Sequence, residues 1–189
     1  MIPMSQFSSP REKRLWIWTL AIVVAIYASL GLAGELAGTL RDRDLLVTTF
    51  WAGLILTAAA VAALGLKVRA GGAEIGVMIG VGAVYLMLLT RMGSLEERSH
   101  IIEYSVVAVL ILEALRERAA NGRNVPIPAL LALVATVSIG TLDELIQLLI
   151  PNRVFDIVDI GFNALAGLMA IGAALALRAA RGWWSRHDQ

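Results

Sequence analysis

The chain has 189 residues, 58% of them hydrophobic and 16% charged, with a mean hydropathy of +0.75. A water-soluble domain of this length needs no such apolar excess, so a membrane is the expected solvent. The formal net charge of +1 and dispersed basic residues exclude the concentrated basic patch that a nucleic-acid partner requires, and the lack of cysteine excludes disulfides, thiol catalysis and thiolate metal sites.

The chain opens on a segment, 1–14, that carries Arg11, Lys13 and Arg14. The apolar run 15–36 that follows exceeds the roughly 7–15 residues of a cleavable signal and reaches the roughly 20 that span a bilayer, so it reads as a retained first span. Further apolar segments fall at 47–66, 74–93, 100–116, 129–150 and 157–178, and a tail occupies 179–189. The fourth is short and holds Glu103 and Glu113, which leaves five spans as the alternative to six. Basic residues decide between them. With six spans and a cytoplasmic N-terminus, eleven lie on the cytoplasmic side and five outside, in the sense of the positive-inside rule; without the fourth span the split inverts to six against ten. Backbone amides in hydrocarbon must pair within their own segment, and no ten-residue alternation of a membrane barrel appears, so an all-α bundle of about six transmembrane helices is expected, with both termini cytoplasmic. Small residues at four-residue spacing, Gly76/Gly80 and Ala166/Ala170/Ala174, predict close helix approach. The connections are too short to fold alone, so 15–178 reads as one domain.

Polar groups inside spans cost on the order of 2.5–3.5 kcal/mol each at mid-bilayer on insertion scales and therefore ask for a reason. They gather in the second half. His100, Glu103 and Tyr104 have the i, i+3, i+4 spacing of one helix face, and Val107 continues their stripe inward. Asp143, Glu144 and Gln147 lie near the end of the fifth span, where Glu144 and Gln147 share a face with Gly140. Pro151, Asn152 and Arg153 predict a turn, after which Asp156, Asp159 and Asn163 enter the sixth span on a stripe with Gly167. In the six-span topology these groups meet at the extracytoplasmic side. The inner halves of the same helices are nearly all aliphatic, which favours a water-accessible outer pocket over bundle glue spread through the membrane.

The run Glu96-Glu97-Arg98-Ser99-His100-Ile101-Ile102-Glu103-Tyr104, then Asp143-Glu144-Leu145-Ile146-Gln147, Pro151-Asn152-Arg153, Asp159, Asn163 and Gly167, resembles the VanZ-like family pattern over roughly 96–172. Glu96-Glu97 stands where many members carry aspartate-lysine. The resemblance implies a multi-pass protein of the bacterial inner membrane, in a family whose founding member is associated with resistance to the glycopeptide teicoplanin.

The residues themselves predict roles. His100, with Glu103 or Glu144, is placed to move a proton, because an imidazole beside carboxylates has its cation stabilised. Tyr104, Gln147 and Asn163 would orient a ligand, beside Asp156 and Asp159, and Arg153 would fork an anionic group. The expected ligand is an envelope molecule with a lipid-linked or anionic headgroup. Partners beyond the lipid bilayer would be another membrane protein or a second copy. Arg153 bridged to Asp156 or Asp159, and Asp159 and Asn163 bonded across helices, are the structural alternatives. One histidine among carboxylates suits a divalent cation, but there is no second histidine nearby and the paired Glu-x-x-His motifs of a bundle di-metal site do not appear, so no metal or other cofactor is expected.

Overall fold

The computed structural model describes residues 6–45, 47–49, 51, 52, 55, 71–92, 95–150 and 155–187, without the side chains of 31–38, 40, 41, 95–97 and 184–187. Among the described residues every regular element is helical. Five helices are described from end to end: α1 (Pro10–Asp42), α2 (Gly72–Arg91), α3 (Leu95–Ala120), α4 (Pro128–Gln147) and α5 (Ile157–His187). Residues 47–49, 51, 52 and 55 are helical too, and the rest of the segment expected at 47–66 lies outside the described residues. Four helices are long and apolar enough to cross a membrane, over Pro10–Leu30, Gly72–Arg91, Pro128–Gln147 and Ile157–Trp183.

The helix ends follow local chemistry. Ser9 caps α1, its hydroxyl accepting the Glu12 backbone N–H at 3.0 Å, while the Glu12 carboxylate reaches back to the Ser8 N–H at 2.6 Å. This capping arrangement, with Pro10 in the first turn, starts the helix five residues before the expected span and takes Arg11, Lys13 and Arg14 into it. Gly122, at φ 79°, ends α3, with the Gly122 and Arg123 amides bonded back to Ala119 and Arg118. Asp156 caps α5, its carboxylate accepting the Val158 N–H at 2.8 Å. The expected tail is helical as far as His187.

The chain divides into two compact units. The first comprises residues 1–30 and 99–172. At its centre runs α3, whose Ile101, Tyr104, Val107, Ala108, Ile111, Leu112 and Ala114 are all buried. At one end the start of α1 grips the end of α3: Arg11 pairs with Glu113 and Glu117, Arg118 pairs with the buried Glu12, and the Ser9 hydroxyl donates to Glu117. Glu113 also pairs with Arg116 three residues on, the local pairing its spacing predicts. The second unit comprises residues 31–98 and 173–189, and within it the Arg181 guanidinium donates to Glu74, whose carboxylate also caps the start of α2 through the Gly71 N–H. A Cβ added at Gly76 or Gly80 would meet nothing within 4 Å among the described residues, so the close approach predicted there is absent from the described structure.

Helices α4 and α5 are inverted relative to those of a soluble protein. The buried face of α4 carries Ala132, Thr136, Gly140, Asp143, Glu144 and Gln147, whereas Leu130, Leu131, Val134, Leu142 and Leu145 are exposed. In α5 the buried positions include Asn163, Ala166 and Ala170, and the exposed ones Ile157, Val158, Leu165, Leu168 and Leu175. Lipid supplies no hydrophobic drive between helices, so small residues that let backbones meet and polar groups that bond across the seam belong inside, and aliphatic groups outside.

Candidate functional site

The site forms where the start of α3, the end of α4 and the start of α5 meet in the first unit. Small residues set the spacing of the helices. A Cβ on Gly140 would stand 2.7–2.9 Å from three atoms of Asn163, so Asn163 fills the space that a side chain at 140 would need. One turn deeper, a Cβ on Gly167 would meet Leu133 at 3.1 Å and Thr136 at 3.5 Å. These glycines let α4 and α5 close, and the closure brings Asn163 to the α3 histidine.

His100 and Asn163, 63 residues apart, join through Nδ1 and Oδ1 at 3.0 Å, and both residues are buried. His100 Nδ1 also stands 4.0 Å from the carboxylate of Asp143, which is wholly buried. The His100 ring lies parallel to that of Tyr104, with centroids 5.9 Å apart, as expected of an i, i+4 pair on one helix face. Glu144, also wholly buried, accepts from the Gln147 amide at 3.0 Å and from the Asp156 N–H at 3.1 Å. Glu144 thus ties the end of α4 to the start of α5. A nitrogen of His100, a carboxylate oxygen of Glu144 and one of Asp159 all lie within 4.8 Å of one another.

The expected site residues separate by role. His100, Tyr104, Glu144, Gln147, Asp159 and Asn163 come together from the three helices. Glu103 stands beside this group, half-buried, within electrostatic reach of His100 and Asp143. Asp156 is exposed; its backbone N–H serves Glu144 while its carboxylate is spent on the helix cap. Arg153, with Pro151 and Asn152, lies outside the described residues, as do the side chains of Glu96 and Glu97. The structure adds two residues to the group. Asp143 lies three positions from Gly140 and four from Gln147, a spacing that places it on the same face. Tyr27 comes from α1, donates to the Ile139 carbonyl at 2.8 Å and interacts electrostatically with Asp143 and Tyr104. No sequence signal joins Tyr27 to residues more than 70 positions away.

The arrangement gives one imidazole, several carboxylates and two amides, held by neutral hydrogen bonds at the end of a helix seam. It can hold or pass a proton, accept hydrogen bonds from hydroxyls, and ligate a cation. The chain matches no family model, no curated protein and no solved structure.

Proposed function

We propose that the chain is a VanZ-like, multi-pass protein of the bacterial inner membrane that binds, at its polar end, the headgroup of a lipid-linked envelope molecule. In this reading α3 is a sixth span despite its charges, because α1, α4 and α5 surround it and the bilayer need not solvate it. Both termini lie in the cytoplasm, and the ends of α3, α4 and α5 that carry the site open to the outer face. Tyr104, Gln147 and Asn163 orient the headgroup, Arg153 meets its anionic part, and His100 with Glu144 or Glu103 moves a proton where chemistry follows binding. The observation that carries the reading is the convergence of buried His100, Asp143, Glu144, Gln147 and Asn163 on one end of helices whose outward faces are aliphatic. A site at that depth is reached from the headgroup layer.

A second reading, a non-enzymatic scaffold or accessory subunit, draws on the hydrogen bonds to both Glu144 oxygens and on the tight fit of Asn163 to Gly140. The two readings part in one experiment. Full-length protein purified from membranes in mild detergent is extracted and its bound lipids identified by mass spectrometry, for the natural chain and for His100→Ala and Glu144→Gln. A headgroup-bearing lipid retained by the natural chain and lost from folded variants supports the binding site. Equal retention by all three, or none by any, leaves the scaffold.

A further inference from the structure

We propose that His100, Glu144 and Asp159 form a binding site for one divalent transition cation, of the zinc or manganese kind. The ligand atoms come from three helices and lie within 4.8 Å of one another, so a small inward adjustment would bring each to the roughly 2.0–2.2 Å at which such donors hold a shared ion. One imidazole with two carboxylates is a borderline donor set, which suits such a cation better than the all-oxygen shell of calcium or magnesium. Sequence spacing does not show which carboxylates join the histidine, because the second and third ligands arrive from other helices through tertiary structure.

Two further observations point to an ion. Glu144 is wholly buried at the end of an apolar helix, and among the described residues its hydrogen-bond donors are a neutral side-chain amide and a backbone N–H, with no salt bridge. Those bonds leave further lone pairs on both oxygens and fix the carboxylate's direction, while a cation would supply the charge that they do not. His100 has the support that ligand histidines have. In the orientation shown, Nδ1–H donates to Asn163 Oδ1, which places the ring lone pair on Nε2 and holds the ring against rotation. Asn163 is held in turn by the notch at Gly140. Three protein ligands leave coordination positions open for water or for an anionic oxygen of a ligand. The site stands on geometry alone, but it would also resolve a conflict in the headgroup reading, since carboxylates that repel an anionic headgroup would hold it through a shared cation.

The test uses the full chain in detergent, stripped with a chelator, dialysed, and titrated separately with Zn2+ and with Mn2+. One equivalent is expected to bind, measured by elemental mass spectrometry after desalting, with a rise in melting temperature that saturates at the same ratio. His100→Ala and Glu144→Gln are expected to abolish stoichiometric binding. Asn163→Ala, which removes the support of the ring while leaving all three ligands in place, should weaken binding by about 10- to 100-fold. His187→Ala, which alters the chain's other histidine, should bind as the natural chain does. If neither metal binds the natural chain at one equivalent, the proposal falls, whether or not the variants fold. It also falls if His100→Ala, monodisperse and folded, keeps its ion. One equivalent of metal bound by a chain that retains no headgroup-bearing lipid when purified would keep this site and remove the headgroup reading, and a headgroup retained by a chain that binds neither metal would do the reverse.

Discussion

A methyl group at position 140 would lie 2.7–2.9 Å from Nδ2, Cβ and Cγ of Asn163, and since Cβ is among them the clash cannot be relieved by turning a side-chain tip. Gly140→Ala must therefore separate α4 from α5 or expel Asn163 from the His100 hydrogen bond. The expected cost is about 1–3 kcal/mol, as for an overpacked interior. It would be read as a lower melting temperature in detergent, against Gly172→Ala, where the added methyl meets nothing within 4 Å and stability should hold or rise slightly. The residue scale is also where the sequence was most informative. The i, i+3, i+4 spacing of His100, Glu103 and Tyr104 and the stripe from Gly140 to Gln147 foretold shared faces, because helix periodicity is local. It could not foretell that Asp156 would spend its carboxylate on a cap, or that Asp143 would stand 4.0 Å from the His100 ring nitrogen. Those outcomes depend on where a second helix arrives.

At the scale of the element, the start of α1 and the end of α3 depend on a small charged cluster. Ser9 both caps α1 and donates to Glu117, so Ser9→Ala should lose about 1 kcal/mol or more. Glu117, just beyond the fourth expected span, has its carboxyl held below the ordinary value of 4.5, chiefly by the Ser9 hydroxyl and then by Asn121 and Arg11. A depressed carboxyl stabilises the fold above the unfolded value, and that contribution disappears as pH falls through the lower, folded one. Melting temperature should accordingly drop as the medium is acidified below about pH 4.5. Glu117→Gln should start lower and show a shallower decline; an unchanged acid profile would remove Glu117 from the cause. Ile127, before Pro128, holds φ 42° at the start of α4, a left-handed conformation that a β-branched side chain resists. Ile127→Gly should relieve about 1 kcal/mol and raise the melting temperature. Helix boundaries were the least legible part of the elements. The Ser9–Glu12 cap extends α1 beyond its apolar run, and α5 passes the end of its own, since hydropathy reports where lipid can lie and hydrogen bonding reports where a helix stops.

For the whole molecule, hydropathy and the spacing of small residues conveyed an all-helical chain with several helices fit for lipid. They also left α3 doubtful as a span; in the structure that helix is shielded by its neighbours, the setting in which a span could carry charges that a lipid-facing helix cannot. The orientation proposed above has a direct check, because the natural chain is free of cysteine. Asp156 and Asn121 are exposed residues at the two ends of the first unit. In intact cells, Asp156→Cys should react with a membrane-impermeant maleimide and Asn121→Cys should react only after lysis. The opposite pattern is the one expected if α3 does not cross, and equal labelling of both would deny that α4, which lies between the two positions, crosses.

The fit of Asn163 into the gap at Gly140 has a consequence for biogenesis. Because α4 precedes α5 along the chain, in the proposed topology its acidic turn would enter the bilayer before the helix that covers it. During that interval Asp143 and Glu144 would lack their cover, and sliding α5 along α4 would drive Asn163 into backbone wherever no glycine waits. Assembly is thereby confined to a single register, and the moment at which the acids are sheltered is the moment at which the histidine is aligned.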